Sequence, residues 1–121
     1  MAKTRVLIVE DEPMIASGVA SILEHNGYAC AGICFELTAC DPIVDAGQVD
    51  LALLDVLIRD QNPYELCKRL EKRGIPFGFI SGVERETIKR RWRDRPFLGK
   101  PFGDEQLIAL VEHLDAARAA A

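Results

Sequence analysis

Five polar side chains in this sequence come directly after short runs of apolar residues, where a buried strand has no need of them. Glu10 and Asp11 follow one run, Asp55 follows a second, Ser81 a third and Lys100 a fourth. A carboxylate beside a buried run is costly unless it has partners, so these residues are candidates for chemistry. Three carboxylates, a hydroxyl and an ammonium could together hold a divalent cation and neutralise a phosphoryl group.

The apolar runs that precede these residues are typical of strands in a parallel sheet. The strand candidates are residues 5–9, 28–34, 51–54, 76–80 and 96–98, several of them apolar throughout, as burial on both faces requires. Helical spacing and boundary residues predict helices over residues 13–25, between 36 and 46, over 64–72, over 84–92, and from 103 or 104 onward. This alternation predicts a doubly wound parallel sheet with helices on both faces.

A proline leaves the start of the second helix open. Either Asp41 is the N-cap residue and Pro42 the first helical residue, or Pro42 lies inside the first turns of a helix that begins earlier. Gly47 is expected to end the helix in both cases.

The strand order decides whether the polar residues can meet. In an open sheet of this class, sites form outside the carboxyl ends of the strands at the topological switch point, which lies between strands one and three for the flavodoxin-like order 2-1-3-4-5. Those two strands precede the carboxylates, and strands four and five would bring Ser81 and Lys100 to the same edge. Crowded carboxylates repel one another, and Mg²⁺ would relieve the repulsion. Asp55, on the central strand, is the best candidate for a nucleophile that becomes an acyl phosphate.

On these residues the sequence resembles the receiver domain of two-component response regulators, from about residue 4 to residue 114. Each motif alone is weak, whereas the four in this order and at these spacings are specific. They are Val9-Glu10-Asp11-Glu12, Leu53-Leu54-Asp55-Val56, Phe79-Ile80-Ser81-Gly82 and Phe97-Leu98-Gly99-Lys100-Pro101-Phe102.

The resemblance implies how the acceptor and the metal would be held. Asp55 would be the phosphoacceptor and would also contact Mg²⁺. Asp11 would bind the ion directly and Glu10 through water, while the backbone carbonyl of Leu57 would complete the metal ligands. Lys100 would pair with the phosphoryl oxygens.

The resemblance also implies a switch. Ser81 would be the hydroxyl that moves to the phosphoryl group, and Phe97 the aromatic side chain that turns inward behind it. An ordinary core role for Phe97 is equally open. The bond between Lys100 and Pro101 is expected to be cis, a conformation largely confined to X–Pro bonds.

The sequence departs from the family pattern in three places. The usual glycine in the loop after Asp55 is missing, and residues 60–63 read Asp-Gln-Asn-Pro instead. Leu57 occupies a position that is often polar. Ser81 and Lys100 are only 19 residues apart, so we expect a short or irregular fourth helix among about five and leave the docking geometry of that face open.

Composition limits the remaining possibilities. The chain has 121 residues, which predicts a single domain; together with the resemblance, this implies a single receiver domain over residues 1–121 without an output domain. The net charge of −4 argues against nucleic-acid binding. A basic run at residues 89–93 is more simply a solvated face or a partner-docking patch. Four scattered cysteines indicate reduced thiols. With no signal peptide and no apolar stretch of membrane-spanning length, we expect a cytoplasmic protein without membrane contact.

The predicted function is that of a stand-alone response regulator. A sensor histidine kinase or a histidine phosphotransfer protein would donate the phosphoryl group to Asp55 in a Mg²⁺-dependent site, and the protein, a monomer or weak homodimer, would then change its affinity for a downstream target. Relay, phosphate-sink and docking roles are all open. The alternative is a non-phosphorylated interaction module with the same fold. A phosphatase of the aspartyl-nucleophile kind would need a second Asp where Leu57 stands, so self-catalysed phosphotransfer and autodephosphorylation are expected rather than substrate turnover.

Overall fold

The sheet has the strand order that the sequence predicts. A computed structural model describes residues 2–120, with side-chain surroundings for residues 2–118; Met1 and Ala121, which the expected domain includes, lie outside the described residues. The strands are β1 (Arg5–Val9), β2 (Ala29–Cys34), β3 (Leu51–Leu54), β4 (Phe77–Ser81) and β5 (Phe97–Gly99). All neighbouring pairs are parallel, in the order β2-β1-β3-β4-β5.

Helices cover both faces of this sheet. They are α1 (Pro13–His25), α2 (Cys40–Asp45), α3 (Tyr64–Lys72) and α4 (Asp104–Ala120). Helices α1 and α4 share one apolar cluster with the sheet, and α2 and α3 share the other, so the doubly wound arrangement is confirmed. Across residues 2–120, no helix combines the length and the apolar character that a bilayer span needs.

Burial on both faces explains why the sequence of the central strand is apolar without interruption. All four residues of β3 are fully buried. Leu51 and Leu53 belong to the cluster under α1 and α4, while Ala52 and Leu54 belong to the cluster under α2 and α3. Side chains alternate along a strand, so a strand covered on both faces has no position for a polar residue until it ends.

The second helix begins earlier than its proline. A 3₁₀ turn over Leu37–Ala39 leads directly into α2, and Pro42 lies in the first turn of that helix. The amides of a first turn have no intrahelical acceptor, so a residue without an N–H is tolerated there. The second of the two predicted alternatives is therefore the correct one. Gly47 follows the helix with φ at +69°.

The region of the predicted fourth helix contains no α-helix. Two 3₁₀ turns, Arg85–Thr87 and Arg90–Trp92, occupy it instead, which confirms the expected irregularity. Between them, Ile88 is extended and Lys89 is also non-helical, with ψ angles of 140° and 139°. The Lys89 amide, which a helix would bond internally, donates instead to the Tyr64 hydroxyl at 3.1 Å. Ile88 is buried in the core at that point, so a tertiary contact takes the place of helical bonding.

The cysteines are unpaired thiols, as expected. Cys34, Cys40 and Cys67 are buried, and Cys30 is half-buried. Burial raises the pKa of Cys67 to about 12, which makes this thiol an unreactive apolar side chain at neutral pH.

Candidate functional site

Asp55 stands at the carboxyl end of the central strand, one residue after β3. Its amide donates to the carbonyl of Val9 at 3.0 Å, which extends the β1–β3 pairing by one residue and fixes the Asp55 backbone. Only 7 % of the residue is exposed. A carboxylate at this depth requires partners to offset its lost hydration.

Both carboxylate oxygens of Asp55 have such partners. Oδ1 accepts hydrogen bonds from the Val56 amide at 2.7 Å and from the Ser81 hydroxyl at 2.7 Å. Oδ2 accepts a hydrogen bond from the Lys100 ammonium at 2.8 Å. These bonds fix the orientation of the carboxylate, whose oxygens are the candidate nucleophiles.

Lys100 bridges two carboxylates that come from different strands. Its Nζ lies 2.6 Å from Oε1 of Glu10 and 2.8 Å from Oδ2 of Asp55. The Lys100 amide donates to the Ser81 carbonyl at 2.9 Å, which fixes the backbone beyond β5. Burial lowers the pKa of the ammonium, but the hydrogen bonds and charges of Asp55 and Glu10 outweigh burial and leave the pKa above its ordinary value. Lys100 therefore carries a positive charge at neutral pH.

Glu10 is fully buried directly after β1. One oxygen binds Lys100, and the other accepts the Glu12 amide at 3.1 Å. Burial raises the pKa of this carboxyl, although Lys100 and the Glu12 amide oppose the rise. The Glu10 side chain thus accepts a hydrogen bond from within the short loop between β1 and α1 and helps to fix that loop.

Asp11 completes a cluster of three acidic side chains. Glu10, Asp11 and Asp55 each offer an oxygen, and these oxygens lie within 4.8 Å of one another. Asp11 is half-buried, and its Oδ2 accepts the Arg59 amide at 2.8 Å. Lys100 supplies one positive charge against three carboxylates, so the cluster retains excess negative charge. Hard oxygen donors with unbalanced charge fit Mg²⁺.

The other predicted residues lie around this cluster. Ser81 is 1 % exposed, and its oxygen also accepts the Val83 amide at 3.4 Å. The side chain of Leu57 is exposed two residues beyond Asp55. Phe97 is half-buried on β5, with the Arg85 guanidinium 5.3 Å from its ring centre. The Lys100–Pro101 bond is cis. The metal role of the Leu57 carbonyl and the rotation of Phe97 stay predictions.

The sequence did not reveal the turn that holds Asp11. Arg59 and Asp60 have φ angles of 50° and 62° within a tight turn closed by two hydrogen bonds of 2.9 Å between Ile58 and Gln61. The Arg59 Nε donates to the carbonyl of Phe35 at 3.1 Å and so ties this turn to the β2–α2 loop. Asp60 could have indicated a turn with positive φ, because Asp tolerates the left-handed region better than most residues. Arg59 gives no such indication.

The sequence of this chain matches a known family over most of its length. The family model described as the response regulator receiver domain matches residues 6–112. The transcriptional regulatory proteins SphR of Synechococcus elongatus and DltR of Streptococcus agalactiae are 29 % and 27 % identical to this chain. Each match covers 88 % of the chain, and 46 % and 50 % of those proteins. The chain thus spans about half the length of these relatives.

Solved structures share the fold of this chain. SdrG from Sphingomonas melonis is 34 % identical, with a TM-score of 0.81 over 98 % of this chain and 99 % of that one. A CheY-like receiver domain from Methanospirillum hungatei shares the fold, with a TM-score of 0.86 at 21 % identity over 98 % of each chain. The clustered carboxylates, the lysine and the strand order all agree with the family match. This chain is therefore a member of the response regulator receiver domain family of two-component signal transduction.

Proposed function

We propose that the protein accepts a phosphoryl group from a phosphohistidine donor on Asp55, with Mg²⁺ held at the acidic cluster, and that phosphorylation changes its affinity for a partner. One observation carries the proposal. Asp55 lies between the Lys100 ammonium and the Ser81 hydroxyl, and its carboxylate lies beside two others that could hold a cation.

The transfer forms one bond and breaks one. A carboxylate oxygen of Asp55 attacks phosphorus, the P–N bond of phosphohistidine breaks, and its electron pair returns to the imidazole, which leaves in neutral form after proton uptake. The product is an acyl phosphate. Lys100 holds a positive charge beside the reacting carboxylate, and the Ser81 hydroxyl can donate to a phosphoryl oxygen. Positioning and neutralisation of this kind supply most of the catalysis in phosphoryl transfer.

The acidic cluster would hold Mg²⁺ through Asp11 and Asp55, with Glu10 acting through water. When bound, the ion would neutralise charge on the phosphoryl oxygens. The chain's own contribution is to place these carboxylates within reach of one another and to keep Lys100 charged between them.

A protein donor must contact the surface next to Asp55. An apolar groove of about 420 Å³ lies between α1 and the β5–α4 loop, and Lys100 is one of the residues that line it. Met14 on this groove is 89 % exposed, and Pro101 and Phe102 of the β5–α4 loop also line it. Because the groove borders the site, we assign it to the phosphohistidine donor.

Phosphorylation with acetyl phosphate and Mg²⁺, followed by intact-mass measurement and site mapping, tests the chemistry. We expect one added phosphoryl group on Asp55, none on Asp55→Asn and none when Mg²⁺ is chelated. Modification of another residue at the same rate in Asp55→Asn would overturn the assignment.

The donor surface has a test of its own. Met14→Glu should slow transfer from a phosphorylated histidine phosphotransfer protein and leave the rate with acetyl phosphate unchanged, since the small donor does not need the groove. The matched control is Ser17→Glu, an exposed position on the same helix that does not line this groove. Equal slowing by both variants would contradict the assignment of the groove.

The alternative is an interaction module that is not phosphorylated. It predicts no change in mass with acetyl phosphate and no change in the NMR spectrum with beryllofluoride and Mg²⁺. The intact set of Glu10, Asp11, Asp55 and Lys100 favours phosphorylation. Because the matched relatives are about twice as long, the proposal is limited to the receiver and does not extend to their transcriptional roles.

A further inference from the structure

The segment over residues 85–95, here called the basic segment, has a charge opposite to that of the whole chain. It contains six basic and two acidic side chains, whereas the chain carries a net charge of −4. It includes the two 3₁₀ turns that stand where an α-helix was expected. Neither the acidic cluster nor the phosphoryl chemistry uses it.

Several contacts tie the basic segment to the rest of the domain. Trp92, 1 % exposed, anchors it in the core 5.8 Å from the ring of Phe77. Glu71 on α3 pairs with two of its arginines, with Arg91 at 2.7 Å and with Arg95. The guanidinium of Arg91 also lies 4.5 Å from the centre of the Trp92 ring. A partner that binds here would meet an ordered surface and would lose little entropy in ordering it.

Among the residues that the structure describes, ion pairs involve only two of the six cations on this surface, Arg91 and Arg95. The guanidinium of Arg93 donates to the carbonyls of Ile88 and Glu86, and that of Arg85 donates to two further carbonyls. A carbonyl is uncharged, so these bonds fix the side chains without cancelling their charge. Lys89 lies 5.3 Å from the ring of Tyr64, which is also uncharged. Only Glu71 supplies an opposite charge in the ion pairs described for this segment.

We propose that the basic segment is the docking surface for a carboxylate-rich segment of a partner protein. Five of its six cations are arginines. Arg90 is exposed and its side chain makes none of the hydrogen bonds or ion pairs described for this segment, so its planar fork can bind a carboxylate through two hydrogen bonds at once. Outside the segment, acidic side chains outnumber basic ones by 17 to 9. An extended polyanion such as RNA would meet that negative surface and be repelled, whereas a short acidic peptide touches the basic segment alone.

The proposal does not depend on phosphorylation of Asp55, so the unmodified full chain can test it. Fluorescence polarisation would measure binding of a short labelled glutamate-rich peptide at physiological ionic strength. A peptide with glutamine in place of each glutamate and a single-stranded RNA of equal length would serve as comparison probes.

Two double variants remove the same charge from different places. Lys89→Ala with Arg90→Ala alters exposed side chains of the basic segment, and Lys3→Ala with Lys72→Ala alters exposed lysines outside it. We expect the first pair to weaken binding of the glutamate peptide by about fivefold or more and the second pair to change it by less than about twofold. Trp92 fluorescence checks that the segment is still folded.

Several outcomes would overturn the proposal. Equal weakening by the two double variants would show that only overall charge matters. Equal binding of the glutamine peptide would exclude carboxylate recognition. Tighter binding of the RNA would assign the surface to nucleic acid, and self-association that the Lys89 and Arg90 variants abolish would assign it to a second copy of the chain.

Discussion

The ammonium of Lys100 lies 2.8 Å from Oδ2 of Asp55 although 45 residues separate the two along the chain. Strands β3 and β5 are not neighbours in the sheet; β4 lies between them. The long lysine side chain crosses that gap and reaches Glu10 as well. One cation therefore offsets charge at two buried carboxylates, and we expect the stability of the unphosphorylated protein to depend on that cation.

Loss of this cation should destabilise the protein. Lys100→Met leaves Glu10 and Asp55 buried without their common partner, so we expect the free energy of unfolding in chelator to fall by about 3 kcal/mol. Added Mg²⁺ should recover part of the loss because it binds the native state. Asp55→Asn, which keeps the Lys100–Glu10 pair, should lose no more than about 1 kcal/mol. Urea denaturation with and without Mg²⁺ measures these values; equal losses in the two variants would contradict the prediction.

The Ser81 hydroxyl should act in switching and not in acceptance of the phosphoryl group. In Ser81→Ala, Asp55 keeps Lys100 and the Val56 amide, so the variant should still be phosphorylated by acetyl phosphate. It should lose about 1 kcal/mol of stability with the hydrogen bond. In the unaltered protein we expect the NMR shift changes on phosphorylation to extend from Ser81 into the basic segment. Ser81→Ala should lose the changes in that segment, whereas Ser81→Thr should retain them. Unaltered shift changes in the alanine variant would exclude the switch role.

Phosphorylated Asp55 should be long-lived. Leu57 is exposed and apolar beside the acceptor, and Val83 is half-buried near Ser81; in the family these positions help to orient the attacking water. Leu57→Asn supplies a group that can hold water, so we expect faster loss of the phosphoryl group. Intact-mass measurements over time give the decay rate, and equal rates for the variant and the unaltered protein would count against this explanation.

One ion pair should make stability depend on pH. The Asp50 carboxylate accepts hydrogen bonds from the Arg5 amide at 2.7 Å and from its guanidinium, and the Arg5 side-chain hydrogen bond is the main reason that the pKa of Asp50 lies below its ordinary value. The stabilisation is therefore present above the unfolded pKa of about 3.9 and is lost as pH falls toward the lower folded pKa. Asp50→Asn should cost about 1 kcal/mol at neutral pH, and the difference should disappear in acid. Thermal unfolding across pH tests this; a constant difference would refute it.

Much of the fold could be predicted from the sequence because its signals are local. Residues 5–9 and 51–54 form strands with the predicted bounds, and α1 and α3 match residues 13–25 and 64–72. An uninterrupted apolar run requires burial on both faces, and that requirement also sets the sheet type. The start of α2 could not be predicted because a proline is tolerated both as the first helical residue and within the first turn. In the structure the helix begins at Cys40, two residues before Pro42.

The basic segment shows where local signals fail. Residues 84–92 have a polar sequence that permits a helix, yet the Tyr64 hydroxyl takes the Lys89 amide and Ile88 packs into the core. The Arg59 turn is a second case. A non-glycine residue at positive φ is held there by contacts with Asp11 and with the Phe35 carbonyl, and both partners are distant in sequence.

The sequence by itself determined which side chains follow the strands, because a buried strand excludes charge until it ends. Only the tertiary structure decided how those side chains pair: that Lys100 bridges Glu10 and Asp55, and that a backbone amide from a strained turn holds Asp11. The reason is physical. Strand periodicity is set by neighbours along the chain. A hydrogen bond of 2.6–2.8 Å, in contrast, depends on the relative positions of several elements that are distant in sequence.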